Sequence, residues 1–383
     1  MTLASDKDVL IYAVGDIGLD RDNTDKPFDL VRSTLKSGDI VFAQLELPLT
    51  EGGTRLPQAR HTVRGPISTA PSLRKAGFSV ISLAGNHCMD WGTEALLETV
   101  DRLERESLEV VGAGENIKAA RRPVIAEANG KRVAFLAYSS ILPMSYWADD
   151  RRAGCAPMRA WTVYEQIEHD QPGTPSRTHT FPNRDDLKAL RRDIAEAKCH
   201  ADIVIVSIHW GIHFIPAVIA DYQRDVAYAA IDEGAEMILG HHAHILKGIE
   251  LYKGKPIFYS LSNFAMDSPM DAAMIASQAF REIQTLNPNW HPSPDKLFNF
   301  PEDSRKTLVV KARLKPDGTV RTSFIPAFIN DDACPELLEP SDPRFDEVVD
   351  YLRAISLQAG IETRFEVEGG EVTLSIEDTA QLV

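Results

Sequence analysis

Cysteine is scarce in this chain: 383 residues contain four, Cys88, Cys155, Cys199 and Cys334, scattered without paired spacing. That argues against a disulfide framework and for free thiols in a reducing compartment. Basic residues are also in deficit, 41 Lys plus Arg against 56 Asp plus Glu, and a formal charge of −15 repels a phosphate backbone. Nucleic acid is therefore not expected as a partner. Long apolar runs are absent too. The first, Val9–Val14, spans only six residues and ends at Gly15-Asp16, too short for the core of an export signal. Nowhere do eighteen apolar residues run without a charge, so no membrane span is expected. The reading is a soluble cytoplasmic protein without an N-terminal anchor. Repeats and low-complexity tracts are missing as well.

What remains is an ordinary globular composition, 44% hydrophobic and 25% charged, which is ample for a core and excludes general disorder. Length leaves the number of domains open. Short apolar runs alternate with helix-like stretches, the signature of βα units. The runs are Val9–Gly15, Asp39–Leu45, Phe78–Ala84, Arg132–Ala137, Asp202–Ile208, Glu236–Leu239 and Pro256–Leu261. Helices are expected over Phe28–Lys36, Glu94–Glu106, Asp185–Lys198 and Asp221–Glu233. Several runs are apolar throughout, as strands covered on both faces are. Residues from about 140 to 183 are rich in Pro, Gly and charge and read as a surface excursion, a lid or one wall of a cleft. A Pro-Asp-Gly turn near Asp317-Gly318 predicts a hairpin, and Phe345–Ala359 predicts a helix followed by a second hairpin. Residues 1–335 are expected to form one domain, with 336–383 as an extension packed on it.

The ends of the predicted strands carry unusual chemistry. Asp16 follows the first, Glu46 closes the second, Asn86 and His87 follow the third, His209 the fifth, and His241, His242 and His244 the sixth. Ligands of open α/β sheets bind beyond the carboxyl ends of strands, so these residues converge on one crevice if the sheets assemble. Each alone has a plain structural explanation, a Gly-Asp turn or a satisfied core histidine, but several together favour a metal site. Mixed oxygen and imidazole donors suit Mn, Fe or Zn, and the oxygens also accept Ca. Cys88 beside His87 suggests a Cys/His nucleophile, but neighbours on extended backbone point apart.

In their order, GDIGLD at 15–20, AQLELPLTE at 43–51, LAGNHCMDWG at 83–92, IHWGIHF at 208–214, GHHAH at 240–244 and FYSLSNF at 258–264 resemble the motifs of the CapA family. This group, named for poly-γ-glutamate capsule synthesis, is a branch of the calcineurin-like metallophosphoesterases. The resemblance implies an α/β fold, a four-layer αββα sandwich, with its site at one edge of the two central sheets. It implies Asp16, Glu46, Asn86, His209, His242 and His244 as ligands of one or two divalent ions. His87 stands where the superfamily has its general acid, with Asp90 placed to orient it, and His241 is a supporting residue behind the ligands. The superfamily's Asp-x-His opening is departed from, since Gly18 occupies the imidazole position, and Asp20 is a possible substitute. His61 and Arg64, within RLPQARHTVR at 55–64, offer a carboxylate-binding cluster at the mouth of the expected cleft.

Three functions follow from the resemblance. The first is a metal-dependent enzyme acting, by hydrolysis, on a peptide or polyglutamate-type substrate, with His87 as general acid and base. The second is a peptide epimerase that exchanges a Cα proton between paired acid and base groups. The third is a non-catalytic subunit that holds polyglutamate.

Overall fold

Two β-sheets lie face to face, and the two-residue period of their strands sorts the side chains into layers. The computed structural model describes residues 7–58 and 61–376. Across the larger sheet the strand order is Arg364–Glu368, Glu371–Ser375, Val320–Ile329, Lys306–Leu314, Val9–Gly18, Ile40–Leu45, Val80–Ser82 and Glu109–Val111. Asn263–Met266 also pairs with Val9–Gly18, and Pro335–Leu337 with Val320–Ile329. From Val9–Gly18 to Glu109–Val111 the pairing is parallel, whereas the other half is antiparallel. The smaller sheet runs Ile249–Tyr252, Lys255–Phe258, Met237–His241, Ile203–His209, Lys131–Ser139 and Val124–Ala128.

Val133, Phe135, Ile205 and Leu239 of the smaller sheet share a core with Val9–Gly18 and Ile40–Leu45. Phe42 and Phe135 stack across this interface with ring centroids 5.4 Å apart. The alternate residues, Ala134, Leu136, Val206 and Ile238, face the other way. They pack on Leu190 and Ile194 of the helix Arg184–Lys198 and on Val226 and Ala230 of the helix Asp221–Glu233. Helices Thr69–Ala76, Gly92–Arg105 and Pro343–Gln358 cover the larger sheet through Leu73, Leu96, Leu103, Val348 and Leu352. The result is the expected helix–sheet–sheet–helix sandwich, in which buried apolar faces dictate the layers.

Three segments differ from the sequence reading. A single helix over Phe28–Lys36 does not form; a 3-10 turn at Lys26–Phe28 and a four-residue helix at Arg32–Leu35 replace it. Phe28, Val31 and Leu35 carry the right spacing and are buried, but a helix this short has little cooperativity to join its turns. The strand expected at Pro256–Leu261 stops at Phe258, and the chain crosses between sheets before Asn263–Met266 pairs beside Asp16. Ser262, with φ of 64°, marks the bend. Within the surface excursion, Tyr146 is fully buried and Gly154–Cys155 pairs with Ala113–Gly114, while Ala160–Glu165 and Arg177–Pro182 form a separate exposed hairpin. Among the described residues no helix is long and apolar enough to cross a membrane.

Candidate metal centre

Five strand ends bring the polar residues together. Asp16 stays within its strand because an irregularity between Ala13 and Asp16 keeps the chain paired with Ile40–Leu45 on one side. On the other side the Asp16 N–H donates to the Ser262 carbonyl at 3.0 Å. Its carboxylate accepts from the His242 backbone N–H at 3.1 Å and pairs with His241 Nδ1 at 2.8 Å. The bond across Asp16 and His241 thus links the two sheets directly.

Asn86 Oδ1 lies 2.5 Å from His209 Nε2, and His242 Nδ1 lies 3.1 Å from that same nitrogen. Glu46 Oε1 stands 3.9 Å from His209 Nε2 and 3.9 Å from His244 Nε2, between the two imidazoles. His244 Nδ1 pairs with Asn263 Oδ1 at 2.7 Å and is 4.0 Å from Asp16. One ligand atom each from Asp16, Glu46 and His209 falls within a span of 4.8 Å. Asp16, Glu46, His209, His241, His242 and His244 are all buried.

A divalent cation fits this donor set. Both oxygens of Glu46 are buried and meet no hydrogen-bond donor, which costs free energy unless a proton or a cation satisfies them. Burial, followed by the charges of Asp16, Asp90 and Cys88, pushes the Glu46 carboxyl well above the usual carboxylate range. Burial works against the Asp16 carboxylate as well, but its His241 hydrogen bond and the surrounding imidazoles outweigh that and hold it low. Burial pulls His209 down to about 3, and burial with neighbouring imidazoles keeps His242 well below its ordinary value. Neutral imidazoles present lone pairs, the form in which histidine binds metal.

His87 stands at the edge of this cluster, its side chain 17% exposed while its partner Asp90 is fully buried. The Asp90 carboxylate is 2.7 Å from His87 Nδ1 and also accepts from the Val63 N–H at 2.8 Å and the Tyr146 hydroxyl at 3.1 Å. Three contacts from separate segments fix this carboxylate, and a proton on Nδ1 would leave the His87 Nε2 with a free lone pair. The His61 ring meets His87 edge-on with centroids 6.3 Å apart. Arg64 is exposed, lies 4.0 Å over the Trp91 ring and donates to the Glu51 carbonyl at 3.1 Å. Cys88 is buried within the core.

Asp20 is not brought into the cluster: it is exposed, and its backbone N–H donates to Asp267 at 2.8 Å. The loop turns outward after Gly18 and cannot aim that side chain at Asp16. Sequence reasoning also left out His213, Asn263 and Tyr146. All three lie in or beside quoted motifs or the excursion, but their contacts depend on loop paths that no local period encodes.

The model of the family described as bacterial capsule synthesis protein PGA_cap matches residues 10–268. The chain is 32% identical over 252 residues to capsule biosynthesis protein CapA of Bacillus anthracis, covering 65% of this chain and 56% of that protein. It is 29% identical over 245 residues to PGA biosynthesis protein CapA of Bacillus subtilis, covering 63% of this chain and 57% of that one. The chain therefore spans little more than half the length of these curated relatives. Among solved structures, a calcineurin-like phosphoesterase, YfkN of Bacillus subtilis, aligns with a TM-score of 0.40 at 12% identity, covering 92% of this chain and 98% of that one. With a family match that takes in every strand end of the buried cluster, this chain belongs to the bacterial capsule synthesis protein PGA_cap family.

Proposed function

We propose that the chain is a metal-dependent enzyme that hydrolyses a peptide or polyglutamate-type substrate, with His87 as its general acid and base. The observation that carries this reading is the buried Glu46 carboxylate, which has no donor of its own among five other polar residues aimed at the same space. Asp16, Glu46, Asn86, His209, His242 and His244 would hold one or two divalent ions, of Mn, Fe, Zn or Ca character, with His241 supporting Asp16. Bound there, a divalent ion would supply Lewis acidity toward a substrate carbonyl and would offset the charge of the buried carboxylates.

The rest of the reaction belongs to side chains. The Asp90 carboxylate orients His87 through Nδ1, so Nε2 is the atom that takes a proton from attacking water and returns it to the leaving nitrogen as the C–N bond breaks. His61 lies edge-on to His87, and Arg64, exposed over the Trp91 ring, would offer a substrate carboxylate a positive charge on an otherwise acidic protein. The names of the two relatives, concerned with capsule and PGA biosynthesis, support a polymer of this chemistry as the substrate class.

The test incubates purified protein with poly-γ-glutamate and short γ-glutamyl peptides in the presence of Mn, Zn or Ca, and follows chain length and new amines. We expect cleavage, with His87→Gln lowering kcat by about 10²- to 10⁴-fold at unchanged metal content. Asp90→Asn should lower kcat more than it alters KM. Intact substrate with every metal, or full activity of His87→Gln, overturns the reading. Deuterium entering at Cα without cleavage reassigns the chain as an epimerase.

A further inference from the structure

His213 carries an unexplained nitrogen. It lies in the loop that leaves the strand Ile203–His209, and its Nε2 is buried without a hydrogen-bond partner. The next residue anchors this loop. Phe214 is buried against Trp290, with centroids 5.0 Å apart, and donates its N–H to the Ala243 carbonyl at 3.1 Å. Its φ of 56° is in the left-handed region, so the backbone turns sharply there. The turn lays the His213 ring against His242, with centroids 3.9 Å apart, and nearly parallel to His244 at 5.3 Å.

Packing alone would be served by an apolar ring. A buried ring nitrogen without a partner costs about 1–3 kcal/mol, a cost that a ligand meeting the nitrogen removes. The first strand, meanwhile, offers one donor only. A Cβ at Gly18 would come within 2.6 Å of Met266 Sδ and 3.0 Å of Leu47 Cδ2, so a larger residue there would displace both side chains. The space beside His242 and His244 instead receives its imidazole from the opposite sheet.

We propose that His213 is a further ligand of the cation held by the buried cluster, supplying through Nε2 an imidazole that position 18 lacks. This rests on the cation reading of Asp16, Glu46 and their neighbours, and the experiment separates the two. Wild type, His213→Phe and His242→Ala are titrated with Co²⁺ alone, and bound metal per chain, affinity and the visible spectrum are recorded, with thermal melting of the metal-free proteins as the fold control. Phenylalanine keeps the ring against His242 and Phe214 but has no lone pair.

We expect His213→Phe to bind Co²⁺ at least tenfold more weakly than wild type, with altered visible bands, and His242→Ala to be weaker also. Wild-type affinity and spectrum in His213→Phe, alongside loss in His242→Ala, overturn the role of His213 and leave the cation site standing. Failure of wild type to take up Co²⁺, or unchanged binding by His242→Ala, overturns both. Should His213→Phe not fold, His213→Leu is read against the same three outcomes.

Discussion

Replacing Glu46 by Gln separates the cost of a buried carboxyl from its use. Both of its oxygens are buried without donors, and burial favours the protonated form when no cation is present. Glutamine matches the neutral acid in shape and charge, so the metal-free variant should unfold within about 1 kcal/mol of wild type at pH 7. With metal the two must diverge. A ligand at a hundred times its Kd stabilises the folded state by about 2.7 kcal/mol. If losing the carboxylate weakens binding about a hundredfold, the same metal concentration equals the variant's Kd and contributes only about 0.4 kcal/mol. The expected difference, about 2.3 kcal/mol, is large enough to read in urea unfolding curves taken with and without Mn²⁺. Equal metal-induced gains in wild type and Glu46→Gln would refute the argument, because the orphaned oxygens would then have no part in holding the ion. Metal-free Glu46→Gln falling several kcal/mol below wild type would refute it differently, by showing that the carboxylate has a protein partner.

Two further outcomes test the fold around the site. Gly15→Ala should destabilise by at least about 3 kcal/mol in urea melts, since its Cβ would lie 2.1 Å from the Ser262 carbonyl oxygen, a backbone atom that cannot rotate away; a loss under 1 kcal/mol means the two strands part easily. Lys247 is buried, its ammonium donates to the carbonyls of Ile215 and Val218, and burial lowers its pKa from 10.5 to about 7. Because the unfolded chain binds this proton more tightly, the lysine's contribution is full above pH 10.5 and is lost as pH falls toward 7. Wild type minus Lys247→Met should therefore gain about 3–4 kcal/mol between pH 7 and 10, and a flat difference would contradict the burial argument.

Much of this site is legible in the sequence because each piece is local. A β-branched run followed by Gly-Asp, Asn-His or Gly-His-His names both a strand and the residue at its carboxyl end, and the rule for open α/β sheets collects such ends. That rule collects Asp16, Glu46, Asn86, His87, His209, His241, His242 and His244, the resemblance to the CapA family singles out six of them as ligands, and the structure brings those six together. Asp20 is not among them, since two residues beyond the strand the backbone has already turned. His213 follows His209 by four positions in a loop with no period, and its approach to His242 depends on Phe214 entering an aromatic pocket built by Trp290 and Phe300. Tyr146 lies within the Pro- and charge-rich excursion, where composition signals exposure, yet its hydroxyl reaches the Asp90 carboxylate. The crossing at Ser262 likewise goes unmarked, because the apolar run Pro256–Leu261 continues past the end of its strand at Phe258.

Backbone conformation supplies a reason to treat the cluster as chemistry and not as core. His242, His244, Ser262 and Phe214 have φ values of 88°, 54°, 64° and 56°, a region where glycine is the unstrained choice. Each costs of order 1–3 kcal/mol, and the four come from three different segments around one space. The surroundings hold them there: Asp16 accepts the His242 N–H, Ala243 accepts the Phe214 N–H, and the Ser262 carbonyl accepts the Asp16 N–H. Glycine at 242 or 244 would relieve the backbone and leave the sheets paired as they are. It would also delete an imidazole from the buried cluster. A chain that keeps histidine where its own conformation favours glycine is accepting strain for the side chain, and what His242 and His244 share is a ring nitrogen within the buried cluster, Nδ1 of His242 lying 3.1 Å from His209 Nε2 and Nε2 of His244 3.9 Å from Glu46 Oε1.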